Sequence, residues 1–222
     1  MLILLVLTGH RQLEEYKLFS NILKQKCPRL CKESDLVIHC NYAEISNQIQ
    51  DYFKDFPQQN KKLFITTKNV GYRSGGFEAV SDLYDMNFFK EYDYVIHLHP
   101  DVFITNEDMI WNHIEANATN NIEVLATKCL PHFGNHYAFD FFILKPKLLK
   151  TNIFSCWNTM TDFPERVFYE QCVKYEINVT EIPRYFNNDW SPRRIDEFLG
   201  LWHEHDLEKV RNYILELEKS ET

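Results

Sequence analysis

Apolar runs of strand length recur along the chain, separated by longer stretches in which apolar residues return every three or four positions. Leu2–Leu7, Leu36–His39, Leu63–Thr66, Tyr94–Leu98, Val124–Thr127 and Phe139–Leu144 read as strands, and Gln12–Gln25, Tyr42–Phe53 and Phe77–Lys90 as helices. Phe77, Val80, Leu83, Tyr84 and Phe88 keep the helical spacing through the last of these. Strands alternating with helices in this way predict a mainly parallel sheet covered by helices. Residues 194–218 predict a closing helix with a break around Gly200–His205, while Pro131–Asn135 and Pro183–Arg193 read as loops. No repeat or low-complexity stretch divides the chain, so a single domain is expected.

Composition changes this picture little. The 222 residues are 45% hydrophobic, 25% charged and 15% aromatic, which suits one large, densely packed core. The net charge of -8 argues against a nucleic-acid polymer as partner, because phosphate-backbone affinity comes from Lys and Arg. A small anionic ligand would need local help, from a metal ion or from backbone N–H groups at a helix start. Cys27, Cys31, Cys40, Cys129, Cys156 and Cys172 contain no C-x-x-C spacing, so a zinc ribbon or thioredoxin motif is not supported and buried free thiols are expected. Leu2–Leu7 is too short to cross a bilayer, lacks a basic leader and is followed by no cleavage pattern. It reads as a buried first strand, and the expected location is the cytoplasm of a cell or an infected host.

Ligands of open parallel sheets lie beyond the carboxyl ends of the strands. That rule selects Thr8-Gly9-His10, Asn41, Lys68-Asn69 and His99-Pro100-Asp101. The last belongs to a hydrophobic strand that delivers His97, His99 and Asp101 before turning apolar again. A neutral imidazole and a carboxylate suit Mn2+ or another divalent ion, with Mg2+ as an alternative, and a diphosphate could fill the open coordination positions. A second pattern runs through Asn69, Gly71, Tyr72, Arg73, Gly75 and Gly76, where half of the chain's six glycines fall within six positions ahead of a helix. Glycine there allows close backbone approach to a sugar or phosphate, although neither the Walker nor the dinucleotide fingerprint is matched.

Taken together, these segments resemble the GT-A glycosyltransferases, in which an Asn-x-Gly and glycine-rich stretch precedes a helix and is followed by a strand ending in Asp-x-Asp. The matching residues are Asn69, Gly71, Gly75, Gly76 and Ala79, then Glu91 through His99-Pro100-Asp101, with His99 standing where the first Asp normally stands. His136 through Pro146 looks like the acceptor-side strand, and Phe163–Glu170 followed by Val179–Pro183 looks like the later helix and final strand. The resemblance covers about residues 1 to 205.

It implies an α/β, Rossmann-like fold with a mainly parallel mixed sheet. Residues 1–105 would bind a nucleotide sugar, and residues 106–222 would bind the acceptor and supply the C-terminal helix. It also implies transfer of a sugar from a uridine or guanosine diphosphate sugar to a glycan or protein-linked glycan. Thr8, Gly9 and His10 would enclose the base, with Lys68, Asn69, Gly71, Tyr72, Arg73, Gly75, Gly76, His99 and Asp101 completing the donor site. His99, Asp101 and His203 are the metal ligands implied, with His205 behind His203. Asp140 is the first candidate for a catalytic base and Glu165 the second. Two other classes stay open at this point: a non-catalytic nucleotide-sugar or glycan-binding module, and a metal-dependent hydrolase using His97, His99, Asp101 and His203.

Overall fold

The structure is a computed structural model that describes residues 1–56, 61–64, 74–129, 136–182 and 200–220. A seven-stranded sheet forms its centre, in the order β3-β2-β1-β4-β7-β6-β8. The strands are β1 (Ile3–Gly9), β2 (Ser34–Cys40), β3 (Lys61–Phe64), β4 (Tyr94–Leu98), β6 (Val124–Lys128), β7 (Tyr137–Leu144) and β8 (Val179–Glu181). All neighbouring pairs run parallel except β4 with β7 and β6 with β7. The sheet is thus mixed and mainly parallel, as expected.

Because side chains alternate across a strand, β1 feeds two cores at once. Ile3, Leu5 and Leu7 join one buried cluster, and Leu4 and Val6 join the other. Burial on both faces explains the unbroken apolar run that marked this strand. Helices α1 (Leu13–Lys26), α2 (Pro28–Glu33), α3 (Ser46–Phe53), α5 (Asp108–Ala116) and α7 (Leu207–Ser220) send buried residues into the first cluster or pack against it. Helices α4 (Gly75–Asp85) and α6 (Pro164–Lys174) cover the second cluster, together with a 3-10 turn at Ser155–Thr159.

Several elements differ from the expectation. The helix expected to reach Lys90 ends at Asp85, where Asn87 with φ of 55° breaks it and a turn carries the chain to β4. Gly200–His205 is not simply a break in a helix. Leu201–His203 forms β9, which pairs antiparallel with β5 (Val102–Ile104) in a separate two-stranded ribbon. Gly200, with φ of 106°, makes the entry to that ribbon. In β7 the register slips: β6 advances from Ala126 to Lys128 while its partner positions move from Phe142 back to Tyr137. This bulge puts Ala138 and Phe141 into one core and Phe139 and Phe142 into the other. Asp140 lies at the change of face, the place where bulges commonly re-aim a side chain.

All six cysteines are free. Among the described residues, no helix is long and apolar enough to cross a membrane.

Candidate active site

The chain leaves β1 toward β2 and β3 on one side, then returns to add β4 on the other side, which creates a topological switch point between β1 and β4. Thr8, Gly9 and His10 end β1, Asn41 follows β2, and His99-Pro100-Asp101 follows β4. The start of α4 packs against the same place. A Cβ added at Gly75 would lie 2.9 Å from Asn41 Nδ2, and one at Gly76 would lie 2.7 Å from Phe139 Cε1 and 3.4 Å from His99 Nε2. The two glycines therefore let a helix N-terminus, with its unpaired N–H groups, approach the strand ends.

Five side chains from three separate segments meet there. His99 Nδ1 is 3.0 Å from Asp140 Oδ1, and His203 Nδ1 is 3.9 Å from Asp140 Oδ2. On the other side of His203, Nε2 is 3.6 Å from Asp101 Oδ2, while His205 Nδ1 is 3.4 Å from the same oxygen. Backbone pairing sets the first contact, since the His99 N–H donates to the Asp140 carbonyl at 2.9 Å and extends the β4–β7 ladder by one residue.

Electrostatics follow from this arrangement. Burial would raise the Asp101 carboxyl, but His203 and His205, aided by the charge of His99, hold it well below the usual carboxylate range. Burial opposes protonation of His203, yet Asp101 and Asp140 overcome it and push its pKa up to about 9. His99 is raised in the same way by Asp140, against its own desolvation. Asp140 is held below its ordinary value by His99 and His203 despite burial. Glu165, in the first turn of α6, shifts the other way: burial raises it first, and the Asp140 charge adds to that.

Asp101, His203 and His205 also satisfy the geometry of a cation site. One ligand atom from each lies within 4.8 Å of the other two. Among the described residues, Asp101 Oδ1 and His203 Nε2 are buried without a hydrogen-bond partner, and the 3.6 Å ion-pair contact is too long to count as one. Buried polar atoms seldom stay unsatisfied, and a cation held by this group would satisfy both. One carboxylate oxygen and two imidazole nitrogens suit a borderline divalent ion.

Some expected residues stand elsewhere. His99 is engaged through Nδ1 by Asp140, and the candidate cation group that the described residues form is Asp101 with His203 and His205. Thr8 is buried, and its hydroxyl pairs with His97 Nε2 at 2.8 Å beneath the strand ends. Fully buried His97 stacks on Phe142 and is kept neutral by desolvation, so it is an interior residue. A Cβ at Gly9 would meet the Tyr16 hydroxyl at 2.6 Å. His10 hydrogen bonds to Asn41 and meets Tyr42 edge-on, while Arg11 lies over the same Tyr42 ring at 4.4 Å. The Arg11–Tyr42 stack escaped the strand-end rule because both residues lie one position past the ones it selects. Lys68, Asn69, Gly71, Tyr72 and Arg73 lie outside the described residues.

No protein-family model matches the chain, and no curated protein matches it. Solved structures do. The glycosyltransferase GlyE of Streptococcus pneumoniae TIGR4 superposes with a TM-score of 0.65 at 10% identity, over 96% of this chain and 60% of that one. The mannosyltransferase PcManGT of Pyrobaculum calidifontis, in complex with GDP-Man and Mn2+, gives 0.56 at 9% identity, over 82% and 54%. Mouse xyloside xylosyltransferase 1 in its apo form gives 0.55 at 11% identity, over 93% and 99%. The chain thus spans 60% of the length of the pneumococcal protein. At such identities the likeness defines the fold, which is that of the GT-A nucleotide-sugar glycosyltransferases.

Proposed function

We propose that this chain is a metal-dependent glycosyltransferase that moves a sugar from a uridine or guanosine diphosphate sugar to a glycan or protein-linked glycan. The observation that carries the reading is the pair of unpartnered buried atoms, Asp101 Oδ1 and His203 Nε2, at the strand ends of a GT-A fold. Asp101, His203 and His205 would hold Mn2+ or Mg2+, and that ion would offset charge on the leaving diphosphate. The start of α4, at Gly75 and Gly76, offers N–H groups to the diphosphate, with Lys68, Asn69, Gly71, Tyr72 and Arg73 assigned to the same donor half by sequence alone. Gly9 and His10 would border the base, with His10 held by its bond to Asn41 and Thr8 buried beneath them.

For an inverting transfer, the acceptor hydroxyl must lose its proton to a base. Glu165 suits that role better than Asp140, because its carboxyl is raised whereas Asp140 is held low by His99. Asp140 then acts as the partner that orients His99. Residues 1–105 serve the donor, joined by His203 and His205 from the late segment, and the rest of residues 106–222 serve the acceptor.

Thermal stability against a panel of nucleotide sugars, with and without Mn2+, tests the reading on the wild type and Asp101→Ala. Stabilisation by one nucleotide series, requiring both metal and Asp101, is expected, since a ligand selective for the folded state raises the melting temperature. No shift with any nucleotide at saturating concentration would overturn the donor site and leave a binding module.

A further inference from the structure

Helix α6 presents two working sides. Glu165 in its first turn feels the charges of Asp140, His99 and His203, so that side borders the reaction centre. Arg166, Val167, Glu170 and Gln171 line a groove of about 360 Å³ closed by the segment 156–162. At 3.6 residues per turn, these four positions point away from the face that carries Glu165. Phe163 caps the start of α6, two residues before Glu165, and is 54% exposed.

The chemistry of this groove is specific. Arg166 bridges Asp162 and Glu170, both at 2.9 Å, which sets two carboxylates and a guanidinium side by side along the wall. Gln171 adds an amide and Thr159 and Thr161 add hydroxyls, while Met160 and Val167 supply apolar surface. Planar groups with paired donors and acceptors match neighbouring hydroxyls on a sugar ring, and the apolar patch and exposed Phe163 match its C–H faces. The wall carries two carboxylates against one guanidinium, which disfavours phosphates and acidic sugars.

We infer that the groove is a carbohydrate subsite holding a neutral sugar unit of the acceptor chain, reached from the reaction centre over Phe163. The inference rests on the transferase reading above and adds a place and a charge class for the acceptor.

The test uses the full chain on an immobilised array of neutral and acidic oligosaccharides, comparing wild type, Glu170→Ala/Gln171→Ala, Phe163→Ser and Asp101→Ala. These groove positions are at or near the surface, where substitution costs little stability. Retention of neutral oligosaccharides is expected, falling at least tenfold in the double variant and in Phe163→Ser. In both, the Mn2+-dependent thermal shift with nucleotide sugar stays unchanged. Asp101→Ala should lose that shift but keep the array signal. Preference for acidic oligosaccharides, no retention at all, or retention indifferent to the groove variants would overturn the subsite. A groove-dependent array signal without any nucleotide shift would support the groove while removing the transferase reading.

Discussion

Val102 pairs with His203 across the two-stranded ribbon, and this register sets the His203 ring beside Asp101, the residue before Val102. The Glu204 N–H donates to the Asp101 carbonyl at 3.2 Å and continues the same pairing. A late segment is thereby fastened to the end of β4 by backbone, which leaves both side chains free to face a cation.

Gly200 holds the ribbon's entry. Its carbonyl accepts from the Thr105 and Asn106 N–H groups, and a Cβ there would lie 2.6 Å from the Asn106 carbonyl oxygen, at a φ of 106°. Gly200→Ala should cost about 1–3 kcal/mol through backbone strain. It should also weaken Mn2+ binding at least tenfold by shifting His203, as read by titration calorimetry. Wild-type metal affinity in this variant would uncouple the ribbon from the site.

Metal binding should depend on pH in a definite direction. His203 has a pKa raised to about 9, so at neutral pH it is protonated and must release that proton before Nε2 can ligate. Asp101 is ionised throughout, because its pKa is depressed. Apparent Mn2+ affinity should therefore rise about tenfold per pH unit between pH 6 and 8, with about one proton released per ion in buffers of different ionisation enthalpy. In His203→Gln the affinity should be lower and the slope shallower, with the remaining dependence coming from His205.

Acid should destabilise the fold through a second histidine, one outside the candidate metal group. His39 is buried in β2, and desolvation lowers its pKa from 6.5 to about 4. The unfolded chain binds the proton first, so stability is lost as pH falls from 6.5 toward 4, by about 3 kcal/mol in all. His39→Gln removes that linkage, and its urea midpoint should change less with pH than that of the wild type. Fully buried His97 contributes with the same sign and keeps the slope above zero.

The sheet was legible in the sequence because β1 and β4 are buried on both faces, which writes them as continuous apolar runs. The ribbon was not, since β5 and β9 have three residues each and gain strand structure only by pairing with each other. The β7 bulge was hidden for a related reason: Phe141-Phe142 looks the same whichever core each ring enters. Asp101 could be chosen by residue type and strand-end position, whereas His203 was named only by the family resemblance. The engagement of His99 by Asp140 depends on the antiparallel register of β4 against β7, which periodicity does not specify.

One buried carboxylate supports the fold with no part in the chemistry. Glu107 accepts from the N–H groups of Arg29 and Leu30 at 2.9 and 2.6 Å, in the first turn of α2, and from Trp111 Nε1 at 3.3 Å. It thus caps a helix other than its own, where Pro28 already removes one donor, and the Arg29 guanidinium lies 3.8 Å over the Trp111 ring. Glu107→Ala leaves these donors without an acceptor and should cost about 2–4 kcal/mol, as a lower urea midpoint at unchanged slope. Glu107→Gln should recover only part, because its NH2 replaces one acceptor with a donor that faces another donor. Mn2+ affinity of the folded protein should stay unchanged in both variants, because Glu107 touches none of the residues around Asp101.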